Sequence, residues 1–300
     1  MTDTKPMIAL VGPGAVGGTV AAWLDRTGRF DLTLCARTPL AKLAVDTPEG
    51  TIDAAPRVLT DPAAATPVDW VLVATKSYDV AGAARWLAGL VGPSTRVAVL
   101  QNGVEHVARF AGLVPTERIV PVMVDIPAER EAPGRIRQRR RGWMIVPEGP
   151  DGAAFVALFA ETALDVTQTD DFMSAVWRKL CINSAGAVSA LTNEAAAVAW
   201  REPAAEVMRA LVRECIAVGR AEGADLDDGL VDSVVQGYRD APGDSMNSIH
   251  ADRVAGRAME WDARNGVVCR QGRHHGIATP VSDTIAGLLA AIDEAARARL

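Results

Sequence analysis

A lysine and an asparagine four residues apart are the side chains in this sequence best suited to acid catalysis on a small substrate. Lys179 and Asn183 lie in the run WRKLCIN, where a helix would place them on one face. Val176, Leu180 and Ile182 are expected to bury that helix, and a lysine that loses hydration beside buried surface can serve as an acid near neutral pH. The alternative is a lysine whose methylene stem packs on the core while its ammonium group stays in water.

A serine and a glutamate further along the chain form a second candidate group. Ser248 opens a predicted helix whose middle carries Glu260. Twelve residues of continuous helix would separate the two by about 18 Å, too far for both to contact one small substrate. Either they serve opposite ends of a larger ligand assembly, or the helix bends between them. Ser248 could alternatively act only as the N-cap of the helix.

A glycine-rich turn near the N-terminus predicts a dinucleotide-binding site. Gly12, Gly14 and Gly17 have the spacing GxGxxG, directly after the apolar run Met7–Val11 and before a predicted helix that begins at Ala15. In that setting the first glycine permits a tight turn, the second lets the backbone approach a pyrophosphate, and the third allows close packing of helix and strand. The helix N-terminus then offers N–H groups and a partial positive charge to the phosphates.

The residue after the second predicted strand indicates whether the site binds NAD or NADP. A site for NAD usually has Asp or Glu there, whereas this chain has Arg37. A guanidinium can pair with the 2′-phosphate of NADP, so NADP is the expected cofactor, with a solvated loop arginine as the alternative. Lys76 and Asn102 follow two further predicted strands, at the edge where open α/β sheets bind ligands. Each could also be an ordinary polar loop residue.

The elements that must position these side chains fall into two parts. Before residue 170, short apolar strands alternate with helices, which is typical of a doubly wound parallel sheet. The predicted strands are Met7–Val11, Asp31–Ala36, Val68–Ala74 and Arg96–Leu100, with helices over Ala15–Arg26 and Asp79–Leu90. A β-hairpin or meander follows, formed by Arg118–Asp125 and Arg135–Val146 on either side of the turn Ala132–Gly134, and then a helix near Ala153–Thr162 and a strand near Asp165–Thr167.

The second part of the chain has apolar residues at helical spacing, punctuated by Gly and Pro. Helices are expected over Phe172–Leu191, Pro203–Glu222, Asp227–Tyr238, His250–His275 and Val281–Ala296. The expected fold is therefore α/β. A Rossmann-type, doubly wound parallel sheet over residues 1–170 would bind NADP, and an all-helical C-terminal domain over residues 171–300 would bind substrate and carry the catalytic residues.

Charge and cysteine usage exclude several classes of function. A formal net charge of −6 argues against nucleic acid as a partner, and the cluster Arg135–Arg141 is expected to be an exposed strand face. The four cysteines show neither metal-ligand spacing nor a disulfide framework. His274 and His275 have no carboxylate or cysteine nearby at ligand spacing, so no metal is expected.

Targeting signals are not evident in the sequence. Met1 to Met7 lack the charged-then-apolar order of a secretory signal, and no run of about 18 apolar residues suggests a membrane span. The expectation is a soluble, cytoplasmic protein without a membrane partner.

Taken in order along the chain, these motifs resemble the ketopantoate reductase family (2-dehydropantoate 2-reductase). They are GxGxxGG, Arg after the second strand, TKS, QNGV, WRKxxxN, SxxxD and EWDxxNG, and they span nearly the whole sequence. The resemblance implies a Rossmann domain followed by an all-helical domain. It also implies reduction of ketopantoate, a small 2-oxo acid, to pantoate with NADPH.

The resemblance also implies a role for each matching residue. Lys179 would be the general acid and Glu260 the active-site carboxylate, while Asn102, Asn183 and Ser248 would bind substrate. The residues expected to hold NADP are Gly12, Gly14, Gly17, Arg37, Lys76 and Asn102.

One position departs from the family pattern. Family members commonly have a second asparagine four residues after the first, where this chain has Ala187. A lost amide in the pocket leaves the exact substrate open, so a related dehydrogenase acting on another oxo acid or an opine-type substrate stays an alternative. A non-enzymatic NADP-binding sensor is a second alternative. A homodimer is also kept open, and the sequence does not say whether the domains close on binding.

Overall fold

The computed structural model describes residues 5–297 of the 300-residue chain. Residues 1–4, which belong to the Met1–Met7 segment, and residues 298–300 lie outside the described residues. The chain divides into two compact units, Met1–Phe172 and Met173–Leu300. In the part of the chain that the structure describes, no helix has the length and apolar character that a membrane crossing needs.

The first unit is built on a six-stranded parallel sheet with the strand order β5-β2-β1-β6-β7-β8. Its strands are β1 (Met7–Val11), β2 (Asp31–Cys35), β5 (Arg57–Leu59), β6 (Trp70–Val73), β7 (Arg96–Val99) and β8 (Ile119–Pro121). Its helices are α1 (Ala15–Thr27), α2 (Val80–Leu90), α3 (His106–Phe110) and α4 (Pro150–Leu158). The predicted α/β class with a Rossmann-type parallel sheet is confirmed.

The sheet is apolar on both faces, which explains its continuous runs of hydrophobic residues. Along β1, Ile8 and Leu10 belong to one buried cluster, while Ala9 and Val11 belong to another. This alternation follows from the two-residue period of a strand. The first cluster includes Trp23 of α1, and the second includes Trp86 of α2. Helices therefore cover both faces of the sheet, as parallel sheets require.

Two smaller sheets complete the first unit. One has the order β10-β11-β3-β4, and the other has the order β13-β12-β9. Their strands are β3 (Leu43–Thr47), β4 (Gly50–Ala54), β9 (Met123–Asp125), β10 (Ala128–Ala132), β11 (Arg135–Gln138), β12 (Trp143–Pro147) and β13 (Asp165–Thr169). The turn at Pro133–Gly134 does join antiparallel strands, but the hairpin pairs β11 with β10, a strand that the sequence did not predict. Strands β3 and β4 were not predicted either.

The second unit is helical. Its helices are α5 (Phe172–Ala185), α6 (Ala187–Thr192), α7 (Glu202–Ala221), α8 (Leu230–Asp240), α9 (Ser248–Val254), α10 (Val267–His275) and α11 (Pro280–Arg297). The long helix α7 packs against α8, α10 and α11. Its Glu214 carboxylate accepts hydrogen bonds from the backbone N–H groups of Val281 (2.8 Å) and Ser282 (2.7 Å), and so caps the start of α11.

The predicted helix over Phe172–Leu191 was wrong as a single element. Helix α5 ends at Ala185, and α6 begins at Ala187 after Gly186. A side chain at Gly186 would displace two polar groups, because a Cβ atom would lie 2.5 Å from the hydroxyl oxygen of Tyr238 and 2.8 Å from Nδ2 of Asn247. The break is thus a point of close approach between this segment and two polar side chains.

The helix expected over His250–His275 is interrupted, so of the two alternatives for Ser248 and Glu260 the structure has the bend. Helix α9 ends at Val254, and Gly256 has a φ of +63°, the left-handed conformation that ends helices. The Arg257 guanidinium turns back to the Asp252 carboxylate at 2.9 Å, and the Arg257 N–H donates to the Asp252 carbonyl at 2.8 Å. The chain therefore bends between Ser248 and Glu260 before helical structure resumes.

Candidate functional site

Four of the predicted cofactor positions follow four adjacent strands of the parallel sheet. Arg37 comes after β2, the turn that begins at Gly12 comes after β1, Lys76 comes after β6, and Asn102 comes after β7. Since these strands are neighbours in the order β2-β1-β6-β7, their carboxyl ends form one continuous edge. This is the edge at which open α/β sheets bind ligands.

The glycine turn is shaped for close approach of a ligand to its backbone. Gly12 has a φ of +89°, and a Cβ atom there would lie 2.9 Å from the backbone nitrogen of Thr75. Gly14 is the N-cap of α1 and offers no side chain as a cap, and a Cβ there would meet nothing within 4 Å. A Cβ at Gly17 would collide with the Gly12 carbonyl. The space beside Gly14 lies at the N-terminus of α1, where uncapped N–H groups and a partial positive charge suit a pyrophosphate.

Arg37 is exposed at the end of β2. The two residues that precede it, Cys35 and Ala36, are buried and uncharged, so no carboxylate stands at the strand end. Within residues 5–297 no ion pair engages the Arg37 guanidinium. A ligand phosphate at this end of the sheet would therefore meet a guanidinium without an internal counterion.

Gln101 links the loops after β6 and β7. Its buried side-chain amide donates to Oγ1 of Thr75 at 3.1 Å and to the carbonyl of Lys76 at 3.4 Å. The Arg109 guanidinium donates in turn to Oε1 of Gln101 at 3.4 Å and to the carbonyl of Asn102 at 3.0 Å. These bonds hold the backbones of Lys76 and Asn102 in place, although neither Gln101 nor Arg109 was predicted as a site residue.

In the second unit, Lys179 and Asn183 lie half-buried, one turn apart on α5. Val176 and Leu180 are buried as expected, but Ile182 is 50% exposed. The expectation that all three apolar residues bury the helix is therefore wrong for Ile182, which lies on the outer side of this turn. The carbonyl of Ile182 accepts a hydrogen bond from the Tyr238 hydroxyl at 3.1 Å.

Ser248 is joined to the segment that follows Glu260. Nη2 of Arg264 donates to Oγ of Ser248 at 2.6 Å, and Nδ2 of the neighbouring Asn265 donates to the carbonyl of Ser184 at 3.2 Å. Arg264 and Asn265 lie in a π-helical turn, Asp262–Gly266, of the kind often found at functional sites. Because Ser184 follows Asn183 in the chain, this turn brings the α9 start and the Asn183 end of α5 together.

The N-cap of α9 is Asn247 and not Ser248. Oδ1 of Asn247 accepts a hydrogen bond from the N–H of His250 at 3.0 Å, and its Nδ2 donates to the carbonyl of Gly186 at 3.1 Å. The hydroxyl of Ser248, an exposed residue, is thus not used as a cap.

Tyr238, which bonds the Ile182 carbonyl, keeps its phenol proton at neutral pH. Burial raises the pKa of Tyr238, while the charge of Arg264 and a hydrogen bond with Asn247 act in the opposite direction.

Glu260 is a buried carboxylate, with a relative exposure of 4%. The preceding residue, Met259, is held by a hydrogen bond from its N–H to Oδ1 of Asp293 at 2.9 Å. The bend after Val254 and this anchor fix the position of Glu260 in the second unit.

The other charged clusters are occupied by internal partners. Arg135, Arg137, Arg139 and Arg140 each pair with a carboxylate of the first unit. Nε2 of His275 contacts a carboxylate oxygen of Glu222 at 2.5 Å. Among the described residues, no group of three His, Cys, Asp or Glu side chains could hold a metal ion. The four cysteines are free and buried, and burial raises the pKa of Cys35 to about 12.

Comparison with known families accounts for both units. The family model described as ketopantoate reductase PanE/ApbA matches residues 8–151, and the model of its C-terminal part matches residues 171–293. The chain belongs to the ketopantoate reductase family. A 2-dehydropantoate 2-reductase of Caulobacter vibrioides is 60% identical, over 94% of this chain and 97% of that protein.

Solved structures agree with this family assignment. A PanE/ApbA family ketopantoate reductase from Ralstonia eutropha JMP134 has a TM-score of 0.88 and 30% identity, covering 97% of this chain and 99% of that chain. D-mandelate dehydrogenase, solved with NADH and anilino(oxo)acetate, has a TM-score of 0.88 at 21% identity, covering 97% and 99% of the two chains. The second likeness shows the shared fold only.

The departure from the ketopantoate reductase pattern at Ala187 is a buried one. Ala187 has no exposed surface, so α6 presents no polar side chain at this position. Polar groups reach the nearby backbone from other elements instead, through Tyr238, Asn247 and Asn265. Sequence reasoning assigned these three no role. Arg264 was missed as well. The sequence did offer one signal for it, because this charged residue stands just before the apolar residues that open α10 and could therefore be buried with them.

Proposed function

We propose that this chain catalyses the reduction of 2-dehydropantoate (ketopantoate) to pantoate with a pyridine nucleotide, a step of pantothenate biosynthesis. The observation that carries the proposal is the match of both ketopantoate reductase models, one to each unit, together with 60% identity to a 2-dehydropantoate 2-reductase. On this basis residues 1–170 form the nucleotide-binding domain, and residues 171–300 form the substrate and catalytic domain. The opine-type and sensor alternatives are not favoured.

The sheet edge of the first unit fits a dinucleotide, and we propose that its natural ligand is NADPH. The open space beside Gly14 at the N-terminus of α1 and the close packing at Gly12 and Gly17 suit a pyrophosphate. Arg37 supports a 2′-phosphate ligand, since it has no carboxylate beside it. Lys76 and Asn102 complete the proposed cofactor contacts. When bound, the reduced nicotinamide supplies the hydride that adds to the substrate carbonyl carbon.

Lys179 is the proposed general acid. Addition of a hydride to a ketone leaves negative charge on the carbonyl oxygen, and an ammonium group both stabilises that charge and donates the proton that completes the hydroxyl. Lys179 then takes up a proton again from solvent. Its half-buried position on α5 lowers the competition from water. Glu260 is the proposed active-site carboxylate, held by the bend before the π-helical turn.

The proposed substrate-binding residues are Asn102, Asn183 and Ser248. Asn183 lies one turn after Lys179, and the turn that contains Arg264 and Asn265 ties Ser248 to the same end of α5. An amide and a hydroxyl in fixed positions can orient the carboxylate and hydroxyl oxygens of a 2-oxo acid. Fixed orientation of the ketone is a large part of what such a site contributes to the rate.

A panel of 2-oxo acids tests the proposal. The purified chain is mixed with NADPH and ketopantoate, 2-oxoisovalerate, pyruvate or phenylglyoxylate, and NADPH oxidation is followed by absorbance. The highest kcat/KM is expected with ketopantoate. A higher value with another acid would reassign the substrate, while tight NADPH binding without turnover of any acid would revive the sensor alternative. Homodimerisation and a cytoplasmic location stay predictions, which sedimentation velocity and cell fractionation would measure.

A further inference from the structure

Arg264 is a buried guanidinium whose charge is not neutralised by the unit that contains it. Its relative exposure is 2%, and its Nε atom has no hydrogen-bond acceptor. Within residues 5–297 no carboxylate forms an ion pair with it. A buried charge without a counterion is costly, and a bound anionic ligand would supply the missing counterion. Among the described residues, the side-chain acceptor that Arg264 reaches is Oγ of Ser248, at 2.6 Å.

This hydrogen bond determines what Ser248 can do. A serine hydroxyl has one proton and two lone pairs. Because Oγ accepts a hydrogen bond from Arg264, its own proton is directed away from the guanidinium. Ser248 is exposed and the α9 cap is Asn247, so this proton remains available to an external acceptor. The positive charge behind the hydroxyl strengthens it as a donor to an anion.

We infer that Arg264 is a positioning residue for the carboxylate of the 2-oxo acid substrate: it orients Ser248 so that the hydroxyl donates to a carboxylate oxygen, and its charge strengthens that contact. The inference rests on the proposed function. Asn265, which anchors the same turn to the carbonyl of Ser184, keeps the pair next to Asn183. In a chain with Ala187 in place of an amide, a charge-supported serine offers another way to hold a small anion.

A double-mutant cycle tests this inference. Ser248→Ala, Arg264→Met and the double variant are compared with the wild type for KM and kcat with ketopantoate and for the Kd of NADPH. Arg264→Met is expected to raise KM by about tenfold or more, the loss of one charge-assisted hydrogen bond, with a smaller change in kcat and an unchanged Kd for NADPH. In the Ser248→Ala background the same substitution should have an effect of less than about threefold, since the two residues act as one unit.

Two further variants separate positioning from folding. Arg264→Lys keeps the charge, so its KM should lie between that of the wild type and that of Arg264→Met. Arg273→Met removes an exposed arginine of α10 that pairs with Asp283 and should change neither KM nor kcat. The melting temperature of each variant reports folding. If Arg264→Met does not fold, Arg264→Lys is carried through the same cycle with Ser248→Ala. Full additivity with Ser248→Ala, or lower stability with an unchanged KM, would overturn the inference.

Failure of the proposed function gives a different result. If the wild type turns over another 2-oxo acid, the cycle is run with that acid and the role of Arg264 is judged on it. If the wild type turns over none, calorimetric titration with pantoate in the presence of NADP⁺ measures anion binding directly. Weaker pantoate binding by Arg264→Met would then support the anion contact alone, and absence of pantoate binding by the wild type would overturn both proposals.

Discussion

The side-chain amide of Gln101 donates to the hydroxyl of Thr75 at 3.1 Å and so joins the ends of two neighbouring strands, β7 and β6. The same amide reaches the Lys76 carbonyl, and the Gln101 carbonyl contacts Nε2 of His106 at 2.8 Å. This buried network fixes the loops that carry Lys76 and Asn102. The proposed cofactor site thus depends on a side chain that is not itself expected to contact the cofactor.

Gln101→Leu should weaken nucleotide binding through these loops. The substitution keeps the volume but removes the donor to the Thr75 hydroxyl and one of the two donors to the Lys76 carbonyl, which keeps its bond from the Asp79 N–H, at a cost of about 1–3 kcal/mol in the free energy of unfolding. The Kd for NADPH, measured by fluorescence titration, should rise severalfold in protein that still melts cooperatively. Gln101→Glu, which keeps an acceptor but loses the donor, should show a similar change. An unaltered Kd in both variants would contradict the positioning role.

Lys179→Ala should lower kcat at least about a hundredfold, the usual loss on removing a general acid. The Kd for NADPH should stay close to that of the wild type, because the variant removes a group proposed to act on the substrate carbonyl. Arg178→Ala is the matched control, since this adjacent cation is exposed and donates to the Asp225 carbonyl at 2.8 Å. Turnover of Lys179→Ala within a factor of a few of the wild type would show that the lysine is only a packing residue whose stem lies on the core.

Arg37→Ala should narrow the preference for NADPH over NADH. A guanidinium contact with the 2′-phosphate is worth about ten- to a hundredfold in affinity, and the variant should lose this for NADPH while NADH is little affected. In the wild type, added salt should reduce the preference because it screens the phosphate. Arg85→Ala, which removes an exposed arginine of α2, is the control. Equal KM values for the two cofactors in the wild type would refute this role of Arg37.

The sequence predicted the parallel sheet well because each strand is a short apolar run and its partners follow from the βαβ pattern. Strand β1 has the predicted bounds, and α1 and α2 differ from theirs by one residue. Periodicity could not reveal the breaks at Gly186 and Gly256, since single glycines also occur inside helices. Their cause is tertiary: side chains from α8 and the α9 cap at Gly186, and the return of Arg257 to Asp252 after Gly256.

The same limit explains which site residues the sequence missed. Ser248 and Glu260 carried a recognisable spacing, but their arrangement depends on the bend that places Arg264 against Ser248. Contacts between residues 16 positions apart in a broken helix leave no periodic signal. Gln101 belongs to the motif QNGV, but its role depends on a hydrogen bond to Thr75 at the end of β6, which the sequence does not show.

His250 should make stability fall at acidic pH. Burial lowers its pKa below the ordinary value, and the charge of Arg253 adds to this, against a backbone contact at Asn193. The unfolded chain therefore binds a proton at a higher pH than the folded chain does. The free energy of unfolding should decline as the pH falls below about 6.5, the ordinary pKa of histidine. Above that pH His250 is neutral in both the folded and the unfolded chain, so it should cause no loss of stability. In His250→Gln the loss of melting temperature between pH 7 and pH 5 should be smaller. An equal loss in both proteins would assign the acid sensitivity to other groups.

Gly186→Ala should destabilise the second unit and disturb the substrate end of α5. The new Cβ would lie 2.5 Å from the Tyr238 hydroxyl and 2.8 Å from Nδ2 of Asn247, so both hydrogen-bond donors would have to move. Overpacking of this kind typically costs about 1–3 kcal/mol, and KM for ketopantoate should rise because the displaced donors hold the carbonyls of Ile182 and Gly186 in the turn that carries Asn183. Gly237→Ala is the matched control: a Cβ there meets nothing within 4 Å, and alanine within α8 should raise stability by about 0.5–1 kcal/mol. Chemical denaturation and steady-state kinetics on both variants measure the two effects. A Gly186→Ala protein as stable and active as the Gly237→Ala protein would mean that the break in α5 can move without loss, and that Tyr238 and Asn247 do not hold the Asn183 turn in place.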